Sequence, residues 1–335
     1  MRNRPWAGLD IGAHSVKLMA LSPGASRGHL AEVPLPRPLA GDEAPPSAAI
    51  AALIGLALER LGHTPRSVAG FSVGVSGPDV IVKQVSLPLM DEAEIPGALR
   101  FEARKLLPFD PQTLVLDHQV ITRHAGEKRL DVLFATVSQP RLDRALAPLR
   151  ELGVEAAIVD AAPLALSNAL WSTLPRDAAE AHVSLDLGHR GAWLVYRHRQ
   201  SPFFARRLDW GGQALLQALA NAHGGDVEAA ERWLAAPETS AGEASAAGVV
   251  VRDAIARLVE EVRLSLAFYS TTASLPDKVI LHVSGGVARL PGLVDLLGHQ
   301  LGTPARLFGP LSADTRATHP APSFALAMGL ALRNV

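Results

Sequence analysis

The sequence predicts an α/β protein of two lobes, with a smaller α+β unit inserted into the first lobe. Three observations carry this prediction. A strand–turn–strand pattern occurs twice, once in each half of the chain. A buried strand ending in a glycine pair follows the second copy. A further set of strands and helices separates the two copies.

The composition is that of a globular protein long enough for two hydrophobic cores. Of the 335 residues, 48% are hydrophobic and 19% are charged, and the formal net charge is −1. A nearly neutral chain lacks the basic footprint of a nucleic-acid binder. Cysteine is absent, which excludes a disulfide framework, thiol catalysis and cysteine-ligated zinc.

The hydropathy of the chain bears on its location. The first six residues carry two arginines but no apolar run suited to a signal peptide. No window approaches the roughly 18 consecutive apolar residues of a membrane-spanning helix. Residues 330–335 end the chain without an appended amphipathic helix. We therefore expect a cytoplasmic protein that reaches a membrane only through a partner.

The repeated pattern joins an apolar strand, an aspartate, a glycine-led turn and a second strand. Its copies are Gly8–Leu18 and Ser184–Leu194, with Asp10 and Asp186 at equivalent positions. Either copy alone is also typical of an ordinary hairpin, since Asp and Gly favour turns. Two copies favour a duplicated lobe with a cleft. Backbone N–H groups there would bind a polyphosphate, and the aspartates would hold Mg²⁺ through water.

A third segment follows the predicted strand Val279–Ser284. Gly285 and Gly286 open towards a helix, with Arg289 just beyond them. Bare backbone at this turn lets a ribose or a planar group approach closely. The same glycines are also typical of a strand–helix turn with special dihedral angles. As the third member of an ordered set, the segment favours a nucleotide site.

Together the three segments resemble the phosphate, second-phosphate and adenosine motifs of the actin, Hsp70 and sugar-kinase superfamily. Within it, the chain is most similar to the PilM family of type IV pilus assembly. The similarity runs in order through Asp10–Leu18, Phe101–Asp110, Arg206–Gly212, Glu261–Tyr269, Ser284–Leu293 and Phe324–Ala331.

The resemblance implies an actin-like fold, a duplicated RNase H-like unit, with ATP and Mg²⁺ bound between the lobes. Asp10 and Asp186 would hold the metal. The implied nucleotide-binding residues are Asp10, Gly12, Ala13, His14, Ser15, Lys17, Asp186, Gly188, Arg190, Gly211, Gly212, Glu261, Ser265, Gly285, Gly286 and Arg289.

The chain departs from the family pattern in both turns. His14 stands where a small hydroxyl residue is usual, and the second turn, 189–192, lacks the hydroxyl residue of active superfamily members. Arg190 either contacts a phosphate directly, as a guanidinium can, or is solvated, and the two interpretations weigh the same. We expect ATP binding to survive these changes better than hydrolysis.

Two pairs of these residues also have a purely structural interpretation. Gly211 and Gly212 either face the phosphates or only admit the N-terminus of the next helix. Glu261 and Ser265 lie at i and i+4 on one helix face, which spacing alone could leave solvated. The resemblance favours contact of Glu261 and Ser265 with ribose and adenine.

Asp160 is the other acidic residue of interest. Related enzymes keep an acidic residue near this place to orient the attacking water, so Asp160 joins Asp10 and Asp186 as a catalytic candidate. The alternative is the N-cap of the helix through Leu170, which we favour because Asp is a preferred capping residue. No metal-ligand spacing of histidines and no Gly-x-Ser-x-Gly elbow occurs.

The segments predict how the chain is divided. The first lobe spans 1–76 and is completed by 159–178 and 310–335. The second spans 179–309, with a small helical subdomain around 223–272 and a surface loop at 237–247. The insert, 77–158, is similar to that of FtsA and PilM. Asp91 and Glu94 form a predicted capping box at its first helix.

Three functions compete. The resemblance implies an ATP-binding scaffold, with weak or no hydrolysis, in the inner-membrane complex of type IV pilus assembly. Its first lobe and insert would take the N-terminal cytoplasmic peptide of PilN, and self-association is a further expectation. A small-molecule kinase would need a general base and a substrate pocket, which the sequence does not show. An FtsA-like polymerising adaptor would be expected to carry a C-terminal membrane helix.

Overall fold

The structure, a computed structural model, describes residues 4–39, 43–106, 113–175, 180–197, 203–235, 246–272, 278–314 and 319–334. These residues form two five-stranded sheets and one three-stranded sheet. Most of the loop predicted at 237–247 lies outside the described residues, and the helix after it begins at Ala246.

The helices and strands follow one another in an order that places the three-stranded sheet inside the first lobe. In chain order they are β1 (Trp6–Ile11), β2 (Ser15–Leu21), β3 (His29–Pro34), α1 (Ser47–Arg60), β4 (Gly70–Val75), β5 (Ile81–Pro88), α2 (Ile95–Leu106), β6 (Leu114–His124), β7 (Arg129–Ser138), α3 (Gln139–Glu151), β8 (Ile158–Ala161), α4 (Ala162–Thr173), β9 (Ala181–Leu187), β10 (Ala192–Arg197), β11 (Phe204–Leu208), α5 (Gly212–Ala222), α6 (Val227–Ala235), α7 (Ala246–Thr272), β12 (Val279–Ser284), α8 (Leu293–Leu301), β13 (Ala305–Leu307) and α9 (Ala325–Ala331).

The two five-stranded sheets have the same topology. The first-lobe sheet has the order β3-β2-β1-β4-β8, and the second-lobe sheet has the order β11-β10-β9-β12-β13. In the first sheet, the central strand β1 is antiparallel to β2 and parallel to β4. In the second, the central strand β9 is likewise antiparallel to β10 and parallel to β12. Parallel neighbours require long crossover connections, and the insert forms one of these, between β4 and β8. The predicted duplication and two-lobed fold are confirmed.

The insert is a three-stranded antiparallel sheet, β5-β7-β6, with α2 on one face. Ile95, Leu99 and Ala103 form the fully buried stripe of α2, at the spacing of one helix face. The backbone N–H of Asp91 donates to Glu94 Oε2 at 3.0 Å, which is the reciprocal half of the predicted capping box. The insert therefore has an α+β architecture, as predicted.

A shared apolar cluster joins the insert to both lobes. Val80 and Val82 of the insert pack with Leu166 of α4 and with Trp193 and Val195 of β10. Burial of side chains of this size contributes roughly 1.5–3 kcal/mol each. The cluster therefore holds the insert in a defined orientation between the lobes. None of the helices in the described ranges combines the length and hydrophobicity needed to cross a membrane.

Candidate nucleotide site between the lobes

The two repeated hairpins close with the same backbone hydrogen bond. The N–H of Gly12 donates to the carbonyl of Ser15 at 3.0 Å, and the N–H of Gly188 donates to the carbonyl of Gly191 at 3.1 Å. In strand register, Asp10 lies opposite Lys17, and Asp186 lies opposite Trp193. The sequence repeat is thus a repeat of turn geometry, with a different residue opposite each aspartate.

The two turns face each other across the gap between the lobes. The rings of His14 and His189, one from each turn, have centroids 5.9 Å apart. Burial, together with the nearby His14 and Arg190, lowers the pKa of His189 to about 4. His189 is therefore neutral at physiological pH and adds no charge to the cleft.

Asp186 lies in β9 of the second-lobe sheet, and charges of the first lobe affect the pKa of its carboxyl. Burial raises the pKa of Asp186 to about 6; the negative charge of Asp10 raises it as well, while the Ser284 hydrogen bond and the positive charge of Lys17 lower it. Ser284 Oγ donates to Asp186 Oδ1 at 2.7 Å. The charge of Asp10 in the first lobe thus reaches the carboxyl of Asp186 in the second.

Asp10 is accompanied by a cation from its own hairpin. Lys17 Nζ lies 3.4 Å from Asp10 Oδ2, and both side chains are largely buried. The carboxylates can hold Mg²⁺ through its waters, because Mg²⁺ takes oxygen ligands and keeps several waters, and the ammonium of Lys17 can compensate part of the phosphate charge. Among the described residues, no cluster of three or more His, Asp or Glu side chains forms a preassembled metal cage. The pair Asp10 and Asp186 fits a hydrated Mg²⁺ bound together with phosphates.

The first turn is fixed by a loop of its own lobe and by Glu32. The carbonyls of Ala13 and His14 accept hydrogen bonds from residues 39 and 35. Ser15 Oγ donates to Glu32 Oε1 at 2.6 Å, and Arg289 of the second lobe lies 3.7 Å from Glu32 Oε2. Glu32 thus engages two predicted nucleotide-binding residues. It was missed, although its place opposite Lys17 in β3 follows from strand register.

Arg190 reaches across to the first lobe. Its Nε donates to the carbonyl of Leu39 at 3.2 Å, and its Nη2 donates to the carbonyl of Glu43 at 2.7 Å. Neither predicted interpretation of Arg190, a phosphate contact or a solvated side chain, describes this arrangement. The guanidinium instead links the lobes, because its fork reaches main-chain carbonyls distant in sequence.

The glycines of the second lobe differ in what surrounds them. A Cβ on Gly211 would lie 2.6 Å from the carbonyl oxygen of His189, and the N–H of Gly212 donates to the carbonyl of Gly188 at 3.0 Å. Both therefore seat α5 on the second turn. Gly285 has φ +90° and abuts Leu187, whereas nothing lies within 4 Å of a Cβ on Gly286. Gly286 presents the bare backbone that a ribose or base could approach.

Glu261 and Ser265 share a face of α7, as their spacing predicts, but both are held by Arg206. Arg206 donates to Glu261 Oε2 at 3.1 Å and to Ser265 Oγ at 3.0 Å. The Ser265 hydroxyl is buried and donates to the carbonyl of Glu261. Glu261, Arg206 and Arg257 line a cavity of about 590 Å³ between β11, α5 and α7. In this arrangement Glu261 is open to a ligand and Ser265 is covered.

The predicted N-cap role of Asp160 is wrong. The strand β8 continues to Ala161, so Asp160 pairs with Gly74 inside the sheet and Ala161 is the N-cap of α4. Burial raises the pKa of Asp160 to about 6, and the positive charge of Arg333 opposes this. Arg333 Nε lies 3.1 Å from Asp160 Oδ2. The carboxylate is thus engaged by a C-terminal arginine.

Trp193 was missed as a site residue. It lies opposite Asp186, and its indole N–H donates to Ser76 Oγ at 2.9 Å. Ser76 follows β4, where the chain enters the insert. A second link is the N–H of Phe203, which donates to Gln84 Oε1 at 2.9 Å. The signal was available, because Trp193 occupies the place that Lys17 has in the first repeat.

Two copies of one mixed sheet, facing each other across a cleft with an aspartate–glycine hairpin at each side, define an actin-like ATPase fold. The family model for "Type IV pilus assembly protein PilM" matches residues 8–335. The chain therefore belongs to the PilM family, which acts in type IV pilus assembly.

Solved structures agree with this assignment. The chain is similar to one from the "PilM-PilN type IV pilus biogenesis complex", with a TM-score of 0.83, 26% identity and 98% of each chain covered. It also resembles ethanolamine utilization protein EutJ from Carboxydothermus hydrogenoformans, with a TM-score of 0.57, 14% identity and coverage of 97% and 88%. A ROK family glucokinase from Streptomyces griseus, in complex with glucose and AMPPNP, gives 0.51, 15% identity and 98% of each chain. The last two share the fold alone.

Proposed function

We propose that this chain is an ATP-binding scaffold of type IV pilus assembly, with weak or no ATP hydrolysis. It would bind the N-terminal cytoplasmic peptide of PilN and so be held at the cytoplasmic side of the inner membrane. The observation that carries the proposal is the similarity, along 98% of the chain, to a protein solved in a PilM–PilN complex.

The facing turns support a nucleotide between the lobes. Asp10 and Asp186 would hold Mg²⁺ through water, and Lys17, 3.4 Å from Asp10, would compensate phosphate charge. The open backbone at Gly286 offers room for the ribose or base. When bound, Mg²⁺ would supply charge compensation for the phosphates. The residues themselves would bind and orient the nucleotide.

Three features favour slow hydrolysis. The second turn carries no hydroxyl side chain, and Arg190 is occupied by the carbonyls of Leu39 and Glu43. Asp160 lies 3.1 Å from Arg333, so its carboxylate is not free to orient water. A general base must stand within hydrogen-bond reach of the proton that it takes. The same absence of a poised base, among the described residues, disfavours the small-molecule kinase alternative.

A contact of the second lobe with the junction between the first lobe and the insert supports coupling of nucleotide to peptide. Trp193, opposite Asp186, donates to Ser76 at 2.9 Å at the entry to the insert. A nucleotide that moved the second hairpin would therefore move the insert relative to the first lobe. We place the peptide groove between these two units, where α3 packs on α1 and Ser47 Oγ donates to Glu151 at 2.8 Å. Coupling requires that the peptide bind the two lobe arrangements with different affinity.

Calorimetry with a PilN N-terminal peptide, with and without ATP and Mg²⁺, tests the proposal. We expect binding in both conditions and a change in affinity of at least about fivefold on adding nucleotide. Trp193→Phe should still bind both the nucleotide and the peptide, but its affinity for the peptide should no longer change when nucleotide is added. Trp6→Phe is the matched control, because Trp6 makes the same indole–serine hydrogen bond, 2.7 Å to Ser72, within the first lobe. No heat from the peptide in either condition would overturn the scaffold proposal.

Two further assays separate the alternatives. Rapid ATP consumption with hexoses or carboxylic acids would favour the kinase, and pelleting of filaments with ATP would favour an FtsA-like adaptor. We expect neither, and either result would replace the scaffold as the best reading of the site.

A further inference from the structure

We propose that the outward face of α2, in the insert, binds the anionic headgroups of a lipid bilayer directly. This goes beyond the proposed function, in which the partner peptide alone holds the protein at the membrane. The helix lies in a segment that the nucleotide site does not use. Its inner stripe, Ile95, Leu99 and Ala103, is fully buried against the insert sheet.

The outward face of α2 combines three cations with an aromatic ring. Arg100, Phe101, Arg104 and Lys105 occupy positions i, i+1, i+4 and i+5, opposite the buried stripe, and all four are exposed. The ring of Phe101 is 60% exposed. The ammonium of Lys105 stands 4.5 Å from the centre of that ring. We call these four residues the α2 face.

The cations of the α2 face are mostly available to a ligand. Lys105 Nζ pairs with Glu102 at 2.8 Å, but within the described residues neither Arg100 nor Arg104 has an ionic partner. The acidic residues at the start of the helix are used locally, since Glu92 pairs with Arg123 at 3.0 Å and Glu94 accepts from Asp91. In a chain with net charge −1, this is a local concentration of positive charge.

A lipid surface fits the α2 face better than a peptide does. Peptides that bind as helices or strands need a groove or a sheet edge, and the cavity beside α2 lies at its other end, lined by Leu89, Met90, Asp91, Glu94 and Arg123. A helix side that presents cations around an exposed apolar ring suits the boundary between headgroups and acyl chains. Anionic lipids attract such cations electrostatically. The shape and charge therefore point to a bilayer.

A weak lipid contact would add to the peptide contact. One weak anchor gives reversible binding, whereas two anchors on one molecule act together. The α2 face would thereby also orient the insert towards the membrane from which the partner peptide emerges.

Sedimentation of the full chain with lipid vesicles tests the inference. We expect binding to vesicles containing phosphatidylglycerol at low salt, little binding to pure phosphatidylcholine, and release at high salt. Reversing two charges with Arg100→Glu and Arg104→Glu should lower the bound fraction at least about tenfold. Phe101→Ser should lower it less, by roughly threefold to fivefold.

Matched controls exist on other helices of the same chain. Phe268→Ser changes a ring on α7 that is 63% exposed, and Arg232→Glu reverses a cation on α6 that is 68% exposed. Both controls should bind vesicles as the unchanged protein does. Circular dichroism and peptide binding should be unaltered in the α2 variants, which separates this test from that of the scaffold proposal.

Three results would overturn the lipid contact. They are equal binding to neutral and anionic vesicles, equal loss in the control variants, and capture of the protein by an acidic peptide such as polyglutamate without binding to anionic vesicles. The last result would identify the α2 face as a protein-docking surface instead.

Discussion

The two hairpins share a backbone and differ in chemistry. Each closes with a glycine N–H bonded to the carbonyl three residues on, at 3.0 and 3.1 Å. Opposite the aspartate, however, the first has Lys17 and the second has Trp193. The first hairpin thus carries a compensating charge, whereas the second carries an indole ring that donates to Ser76, the last residue of the first lobe before the insert.

The two lobes also differ at a second pair of equivalent positions, four residues before each aspartate on β1 and β9. In the first lobe, Trp6 donates to Ser72 Oγ at 2.7 Å between β1 and β4. At the equivalent register in the second lobe, His182 Nδ1 lies 3.0 Å from His282 Nε2 between β9 and β12. A buried polar pair is kept in both places, since buried polar groups need partners. The duplication therefore preserves geometry while one lobe acquires groups that titrate.

The largest expected effect comes from disrupting the close packing of Gly211 against the turn of the second hairpin. Gly211→Ala would place a Cβ 2.6–2.8 Å from backbone atoms of the turn 188–191, which cannot yield as a flexible side chain would. We expect a loss of about 3 kcal/mol or more in the free energy of unfolding. Gly286→Ala, with open space around the new methyl group, should change it by less than about 0.5 kcal/mol. Chemical denaturation measures both.

The two aspartates should respond in opposite ways to loss of charge. The folded pKa of Asp186, about 6, lies above its ordinary value of 3.8, so the ionised carboxylate costs stability at neutral pH. Asp186→Asn should therefore raise the melting temperature at pH 7.5. Asp10→Asn should lower it, because Lys17 would lose its buried partner.

Both of these changes should weaken binding of ATP with Mg²⁺, by about 2 kcal/mol or roughly thirtyfold in calorimetry. Asp160→Asn is the control, because its carboxylate is engaged by Arg333. Unaltered nucleotide affinity in the Asp10 and Asp186 variants would show that the pair does not hold the metal.

The two buried polar pairs should differ in their response to acid. Burial lowers the pKa of His282 to about 3, so His282 takes up a proton on unfolding below its unfolded pKa of 6.5. Its neutral form therefore supports the fold above pH 6.5, and this contribution is lost as pH falls towards 3. The unchanged protein should therefore lose about 2 kcal/mol of its free energy of unfolding between pH 7.5 and pH 5 through His282, and His282→Gln should not show this loss.

Ser72→Ala in the first lobe provides the comparison for His282. Loss of its hydrogen bond with Trp6 should cost about 1 kcal/mol at both pH values. An equal pH dependence in the two variants would mean that the histidine pair is not the acid-sensitive element.

The smallest expected effect concerns the link between the lobes. Arg190→Ala removes the hydrogen bonds to Leu39 and Glu43, and so disfavours the closed arrangement. We expect nucleotide affinity to fall by roughly threefold to fivefold, equivalent to about 1 kcal/mol. Arg232→Ala on α6, a surface cation, should leave the affinity unchanged. Tighter binding of nucleotide to Arg190→Ala would show instead that the link competes with the ligand.

Sequence reasoning found the features that repeat. The strand–turn–strand pattern around Asp10 and Asp186 gave the two lobes, because alternating apolar residues and a glycine turn are local signals. The capping box at Asp91 and Glu94 was likewise local, and its hydrogen bond is present at 3.0 Å. The family resemblance supplied the order of the remaining elements.

Long-range contacts and strand ends escaped sequence reasoning. The partners of Arg190 are main-chain carbonyls about 150 residues away, which no side-chain pattern encodes. Asp160 looked like an N-cap because composition cannot fix where β8 ends to within two residues. The hydrogen bond from Arg206 to Ser265 depends on the packing of β11 against α7, which sequence spacing does not specify. Trp193 and Glu32, in contrast, were readable from the register of the repeat.

Hydrogen–deuterium exchange with and without ATP and Mg²⁺ tests most directly whether both hairpin turns close on one nucleotide. We expect slower exchange at the amides of residues 11–16 and 187–192 together, since each turn would contact the phosphates. Protection of only one turn, or of neither while other regions of the chain change, would contradict a nucleotide held between the facing turns.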